Sequence, residues 1–259
     1  DGPLGKKLNL TKGWFEHTPA YYTDVQSFFL TTTEGSSKKL GTLNSGSNPI
    51  RTFNNFDLFG ILDKDSFNPN LSGRIWYHKA LNNIVRTTTL NLPISQCSGG
   101  EKIIITYSYL TKLSGASLTI AVNNGFVKSQ SLSPSDKYQV DTLQIPCPGS
   151  NSTISFSING SMNENLYLDF ITVNGKAPLV YSGVQFNFRF KEEVGTRNNI
   201  QFNLSGAQNA KLWDVTTIGS FKNLTTKNLI FENTSSVNEF VVFEDNNAYK
   251  PIAIGKIAN

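Results

Sequence analysis

Apolar and polar residues alternate in short runs along most of this chain. The cleanest run is Ser152 to Asn159, where Ile154, Phe156 and Ile158 fall on one side and Thr153, Ser155 and Ser157 on the other. A period of two in residues of this type predicts a half-buried strand. Lys102 to Leu110, Ser117 to Val122, Val140 to Ile145 and Leu166 to Val173 follow the same rule, each rich in Ile, Val, Thr, Tyr or Phe and bounded by Gly, Pro, Asn or Ser. Residues 61–175 are therefore expected to form a central β-sandwich. Asn123-Asn124-Gly125, directly after one of these runs, predicts a tight hairpin, because Asn-Gly accepts positive φ angles.

Residues 1–60 carry a strand-like run at Gln26 to Thr33, a turn signal at Glu34 to Ser37 and a shorter strand near Lys39 to Leu43. Two strands alone are barely stable in water, so this N-terminal β segment must pack on a neighbouring module, with Phe53, Phe56, Leu58 and Phe59 supplying part of the contact. Ile84 to Leu92 reads as a further strand. Asn174-Gly175-Lys176-Ala177-Pro178 breaks the pattern and reads as a turn and a boundary. Alternation resumes in Val184, Phe186, Phe188 and Phe190, then in Ile200 to Leu204, Leu212 to Thr216, Leu229 to Phe231, Phe240 to Phe243 and Ile252 to Ile257. Residues 176–259 are thus expected to form a second sandwich, and the fold class is all-β, with two modules of jelly-roll or Ig-like type. No helix of more than a turn or two is expected.

Composition narrows the functions open to such a fold. Charged residues are only 16% of the 259, and the net charge of +4 comes from 23 basic and 19 acidic side chains. No basic run is dense enough to follow a phosphate backbone, so nucleic acid is not an expected partner. No apolar stretch approaches the roughly 20 residues that cross a bilayer, so no transmembrane segment is expected. Asp1-Gly2-Pro3-Leu4-Gly5 carries no signal peptide, and the start reads as processed or as cut from a longer polypeptide. Cys97 and Cys147, the only cysteines, flank predicted strands. In an oxidising compartment they can staple two edges of one module, and this disulfide is the reading adopted; the alternative, a pair of buried or independent thiols, is not excluded by spacing. Without a Cys-x-x-Cys or a His-rich tract, neither a metal nor a cofactor is expected. The acidic, Asn-rich stretch from Asp63 to Tyr77 invites a calcium-loop reading, but it lacks that loop's Gly and closing Glu, and a solvated turn fits better.

Candidate chemistry is sparse. His17 and His78 are the only histidines, and nothing in the sequence places either beside Cys97 or Cys147. No nucleophile elbow or phosphate-binding glycine loop occurs, and Asp63 with Asp65, Glu192 with Glu193 and Glu244 with Asp245 read as solvated neighbours. No catalytic residue is assigned. Aromatic residues are 12% of the chain, and most should be core. Trp76, Tyr77 and Trp213 are the candidates for a surface that binds a sugar or a partner's pocket. Seven Asn-x-Ser/Thr sequons, Asn9, Asn151 and Asn223 among them, decide nothing in a chain this rich in Asn, Ser and Thr.

One succession of motifs does resemble a family. Tyr22-x-Asp24 precedes Phe28-Phe29-Leu30; then come Leu71 to Tyr77 (LSGRIWY), Leu168 to Val173 (LDFITV), Leu212 to Thr216 (LWDVT) and Pro251 to Asn259 (PIAIGKIAN). In that order they resemble the region preceding the peptidase domain in PorU-type sortases, the gingipain-like cysteine peptidases of the type IX secretion system. The resemblance implies a non-catalytic β-region, with the catalytic His and Cys in a peptidase domain following the last motif. It also implies a parent at the cell surface, on the outer membrane, that cleaves C-terminal signals from exported cargo, joins the cargo to lipopolysaccharide and docks on an outer-membrane partner of the attachment complex. Family members often continue the Trp-Tyr pair with Gly and an acid, whereas His78 and Lys79 follow here. The competing reading is a carbohydrate-binding or adhesion sandwich.

Overall fold

The computed structural model describes residues 4–19, 39–69, 76–160, 164–192, 194–217, 219–232, 236–250 and 252. The predicted strands Gln26 to Thr33 and Ile252 to Ile257 lie essentially outside them. The expected all-β class holds: the described residues form strands and turns with no α-helix.

In chain order the strands are β1 (Leu4–Asn9), β2 (Trp14–Pro19), β3 (Gly41–Leu43), β4 (Arg51–Phe53), β5 (Asn55–Asp63), β6 (Lys79–Leu81), β7 (Thr87–Asn91), β8 (Lys102–Thr111), β9 (Ala116–Val122) and β10 (Gly125–Ser131). After them come β11 (Gln139–Pro146), β12 (Thr153–Gly160), β13 (Leu166–Pro178), β14 (Phe186–Phe190), β15 (Asn199–Phe202), β16 (Lys211–Asp214), β17 (Lys222–Leu224), β18 (Ile230–Glu232) and β19 (Asn238–Phe243). They fall into two compact units, Asp1–Thr33 with Asp57–Ala177 and Glu34–Phe56 with Pro178–Asn259. Residues 1–60, grouped as one segment by the sequence pattern, are thus divided between the two.

In the first unit a four-stranded sheet, β10-β9-β12-β7, and a five-stranded sheet, β11-β8-β13-β5 with β6 also paired to β13, enclose one core. The alternation explains why. Ile103, Ile105 and Tyr107 of β8, Leu118 and Ile120 of β9, Ile154 and Phe156 of β12, and Leu166, Leu168 and Val173 of β13 are all essentially buried, and their sequence neighbours point to the opposite face of the sheet, where Ser108, Thr172 and Asn174 are buried as well. Tyr107 and Phe156 meet edge to face at 5.4 Å, which ties the two layers together. On β13 the register against β8 slips between Leu168 and Ile171. That bulge inserts one residue, so Ile171 and Val173 point into the core on odd numbers after Leu166 and Leu168 did so on even ones.

The β9–β10 hairpin sits where the sequence predicts it, with one difference. The left-handed residues are Asn123 (φ 49°) and Asn124 (φ 64°), while Gly125 opens β10. Asn123 holds this geometry because its side chain accepts from Thr153 N and donates to Ser152 Oγ. The open seam between edge strands β10 and β11 is closed by polar groups: Lys128 pairs with Asp141, the Tyr107 hydroxyl faces Asp141 Oδ2 and Gln130 Oε1, and Gln130 donates to the Tyr109 hydroxyl.

Asn174 to Pro178 is a correction to the sequence reading, because β13 runs straight through it. Asn174 is 3% exposed; its side chain accepts from Phe15 N at 2.8 Å and donates to Phe15 O at 2.9 Å, clamping the β1–β2 hairpin to the sheet. Gly175 is required there, because a Cβ would lie 2.9 Å from Ile103 Cγ2. Ile84 to Leu92 is also shorter than expected: only Thr87–Asn91 is strand, and Ile84 and Val85 sit in a turn capped by the Asn82 side chain.

The second unit layers the sheet β14-β19-β16-β17-β3 on the sheet β18-β15-β4. Phe188, Phe190, Phe202, Phe231 and Phe240 fill the space between, with ring centroids 5.0–6.3 Å apart, and Phe53 and Phe56 join them. Two strands here come from early in the chain: β3 lies parallel beside β17 and β4 parallel beside β15.

Candidate functional site

A cysteine peptidase centre needs a thiolate beside an imidazole. Cys97, in the loop before β8, and Cys147, at the end of β11, are bonded to each other with Cα atoms 5.9 Å apart, and no free cysteine is left. Their strands bring them together: β8 and β11 pair from Lys102 opposite Pro146, and Cys147 N donates to Glu101 O. The histidines lie elsewhere. The His17 side chain, on β2, is fully enclosed, with Nε2 2.8 Å from Asp63 Oδ2 and its ring against Phe170 at 4.8 Å. His78 is buried, and its Nδ1 has no hydrogen-bond partner among the described residues. Burial, with Lys79 nearby, holds its imidazole below the usual range.

The His17 and Asp63 pair is one edge of a polar cluster that sequence reasoning missed. The β13 bulge brings Asp169 to the same place, where burial first, then the Asp63 charge, pushes its carboxyl up to about 7; Asp65 adds to this, while Ser108 and His17 act against it. The members come from β2, the end of β5 and β13. Only the pattern break at the bulge, where Asp169 interrupts an apolar run, marks the spot in the sequence. No group of His, Cys, Asp and Glu among the described residues could hold a metal ion.

Of the aromatic candidates, Trp76 is 40% exposed, as a surface role requires. Tyr77 is a correction: it is 4% exposed and packs between Tyr167 at 5.1 Å and Tyr138 at 6.0 Å. Phe67, bridged to Tyr77 through the backbone, stacks on Tyr167 at 5.8 Å. Residues 71–75 of the motif that ends in this pair lie outside the described residues.

Trp213 lines a groove of about 570 Å³ on the second unit. It is built by register: Trp213 of β16 pairs with Asn223 of β17, which pairs with Thr42 of β3, so the three side chains form a row across one sheet face. Phe243 packs perpendicular to the indole at 4.9 Å and fixes it. Leu40, Lys211 and Lys227 complete the walls. Lys211 pairs with Asp245 at 2.7 Å, and Lys227 donates to the Ala210 carbonyl, burial lowering its pKa. Asn223 is half-buried and Thr42 exposed, and neither side chain makes a hydrogen bond among the described residues.

With these positions fixed, known structures can be compared. All of this chain superposes on dimeric latent PorU from Porphyromonas gingivalis, with a TM-score of 0.76 at 16% identity. The fold is PorU-like. The chain spans 27% of that PorU chain, and both units and the groove lie within the superposed length. A family 35 carbohydrate binding module from Clostridium thermocellum overlaps 45% of this chain and 90% of its own, with 16% identity and a TM-score of 0.32. The CBM22-1 and GH10 modules of xylanase 10B from the same organism overlap 50% of this chain and 27% of theirs, with 12% identity and a TM-score of 0.32. Those two overlaps are too partial to define a shared fold. No protein-family model and no curated protein sequence matches the chain.

Proposed function

We propose that this chain is a non-catalytic β-domain region of a cell-surface sortase of the PorU kind. It would lie upstream of the peptidase domain, serving as scaffold and docking surface. The observation that carries this reading is the superposition on PorU over the full length of the chain. Two features agree with it. The disulfide occupies both sulfurs, which leaves no thiolate for a nucleophile within this segment. A disulfide also suits an oxidising exterior, as expected for a protein at the outer membrane's outer face. On this reading the parent cleaves C-terminal signals from exported cargo and attaches the cargo to lipopolysaccharide, while these domains hold the peptidase domain and meet an outer-membrane partner.

Incubating the chain with a fluorogenic C-terminal-signal peptide, with and without iodoacetamide, tests it. No turnover is expected in either arm. Turnover abolished by alkylation of Cys97 or Cys147 would overturn the proposal, as would a coding sequence beyond Asn259 that lacks a His and Cys peptidase domain.

A further inference from the structure

The groove at Trp213 has the makings of a ligand site that the scaffold reading does not use. Its volume falls in the range of small-molecule sites, about 300–1,000 Å³. One wall is an indole held in place by Phe243, a flat apolar surface that loses little side-chain freedom when something stacks on it. Beside the indole, Asn223 and Thr42 present an amide and a hydroxyl with no partner among the described residues.

The charges select among ligands. Lys211 is paired with Asp245 and Lys227 donates to the Ala210 carbonyl, so each lysine at the wall already has a partner inside the protein. Burial, moreover, disfavours the Lys227 ammonium. Between these paired lysines lies one apolar plane flanked by a neutral amide and a neutral hydroxyl. A pyranose matches this, with an axial C–H face for the indole and hydroxyls around its rim.

We propose that the groove formed by Trp213, Asn223 and Thr42 binds a neutral saccharide, one or two sugar rings of it, stacked on the indole with ring hydroxyls bonded to the amide and the hydroxyl. This does not depend on the parentage proposed above.

The test is calorimetric titration of the full chain with neutral hexaoses of glucose, xylose, mannose and galactose, and with hexagalacturonate as the charged control. At least one neutral hexaose is expected to bind, with affinity falling about tenfold or more in Trp213→Ala. Asn223→Ala and Thr42→Val, which leave the indole and its Phe243 contact in place, should each weaken it several-fold. Trp76→Ala, outside the groove, should leave it unchanged. Unfolding midpoints of every variant show whether the fold survives. If no neutral hexaose binds, if only hexagalacturonate does, or if binding survives in the two polar variants, the proposal fails.

Discussion

Asp169 and Asp141 respond to pH in opposite directions. Burial raises the Asp169 carboxyl to about 7, so between its unfolded value near 4 and that figure the folded chain holds a proton that the unfolded chain has released. Asp169 therefore costs stability as pH rises from about 4 to about 7, and the cost is complete above that. Burial works the same way on Asp141, but the Lys128, Thr142 and Tyr107 hydrogen bonds outweigh it and hold that carboxyl below its usual range. Its contribution is present at neutral pH and is lost as pH falls through the depressed value. Asp169→Asn should raise stability by about 1–3 kcal/mol at pH 8 and change it little at pH 4, as read from urea midpoints across that range. An unchanged pH profile would refute the assignment. At this scale the sequence was legible where side chains alternate. Trp76 and Tyr77 were read together as surface, yet neighbours on extended chain face opposite ways, and one is exposed while the other is core. The cluster of His17, Asp63 and Asp169 was not legible, because its members meet only once three separate strands are in register.

Among elements, two attachments are concentrated enough to test. The disulfide closes a separation of 50 residues, which in the chain-entropy account stabilises by about 4 kcal/mol. Reduction, or Cys97→Ser with Cys147→Ser, should lower the unfolding free energy by roughly 2–5 kcal/mol, seen as a lower denaturant midpoint. Titration of the unreduced, denatured chain with a thiol reagent should find no free sulfhydryl. The Asn174 side chain holds the β1–β2 hairpin by two bonds to Phe15, so Asn174→Ala should cost about 2–3 kcal/mol by leaving those backbone groups unpaired. Hydrogen exchange should then quicken in residues 4–19 and stay slow in β8, β9 and β12. The long runs of β8, β9 and β12 were readable because each keeps a period of two toward the core, whereas β13 keeps it only on either side of its bulge. The three-residue strands β3, β4, β6, β17 and β18 are too short to carry a period, and Asn174 to Pro178 looked like a turn because its Asn and Gly serve packing that spacing does not reveal.

At the scale of the whole molecule, the PorU-like fold is built from strands and turns among the described residues. The second unit is discontinuous: β3 and β4, from Glu34–Phe56, complete sheets whose other strands follow Pro178. A fragment covering residues 178–259 alone should therefore stay poorly structured by circular dichroism and gain a cooperative melt when a synthetic 34–56 peptide is added. A cooperative melt of the fragment alone would contradict this. The same threading dictates a timetable for synthesis. As the polypeptide leaves the ribosome, β3 and β4 emerge more than a hundred residues before the strands that receive them. Until translation reaches β15 and β17 these two segments have no sheet to join, and their unpaired backbone is open to holdase chaperones or to strand exchange with a second nascent copy.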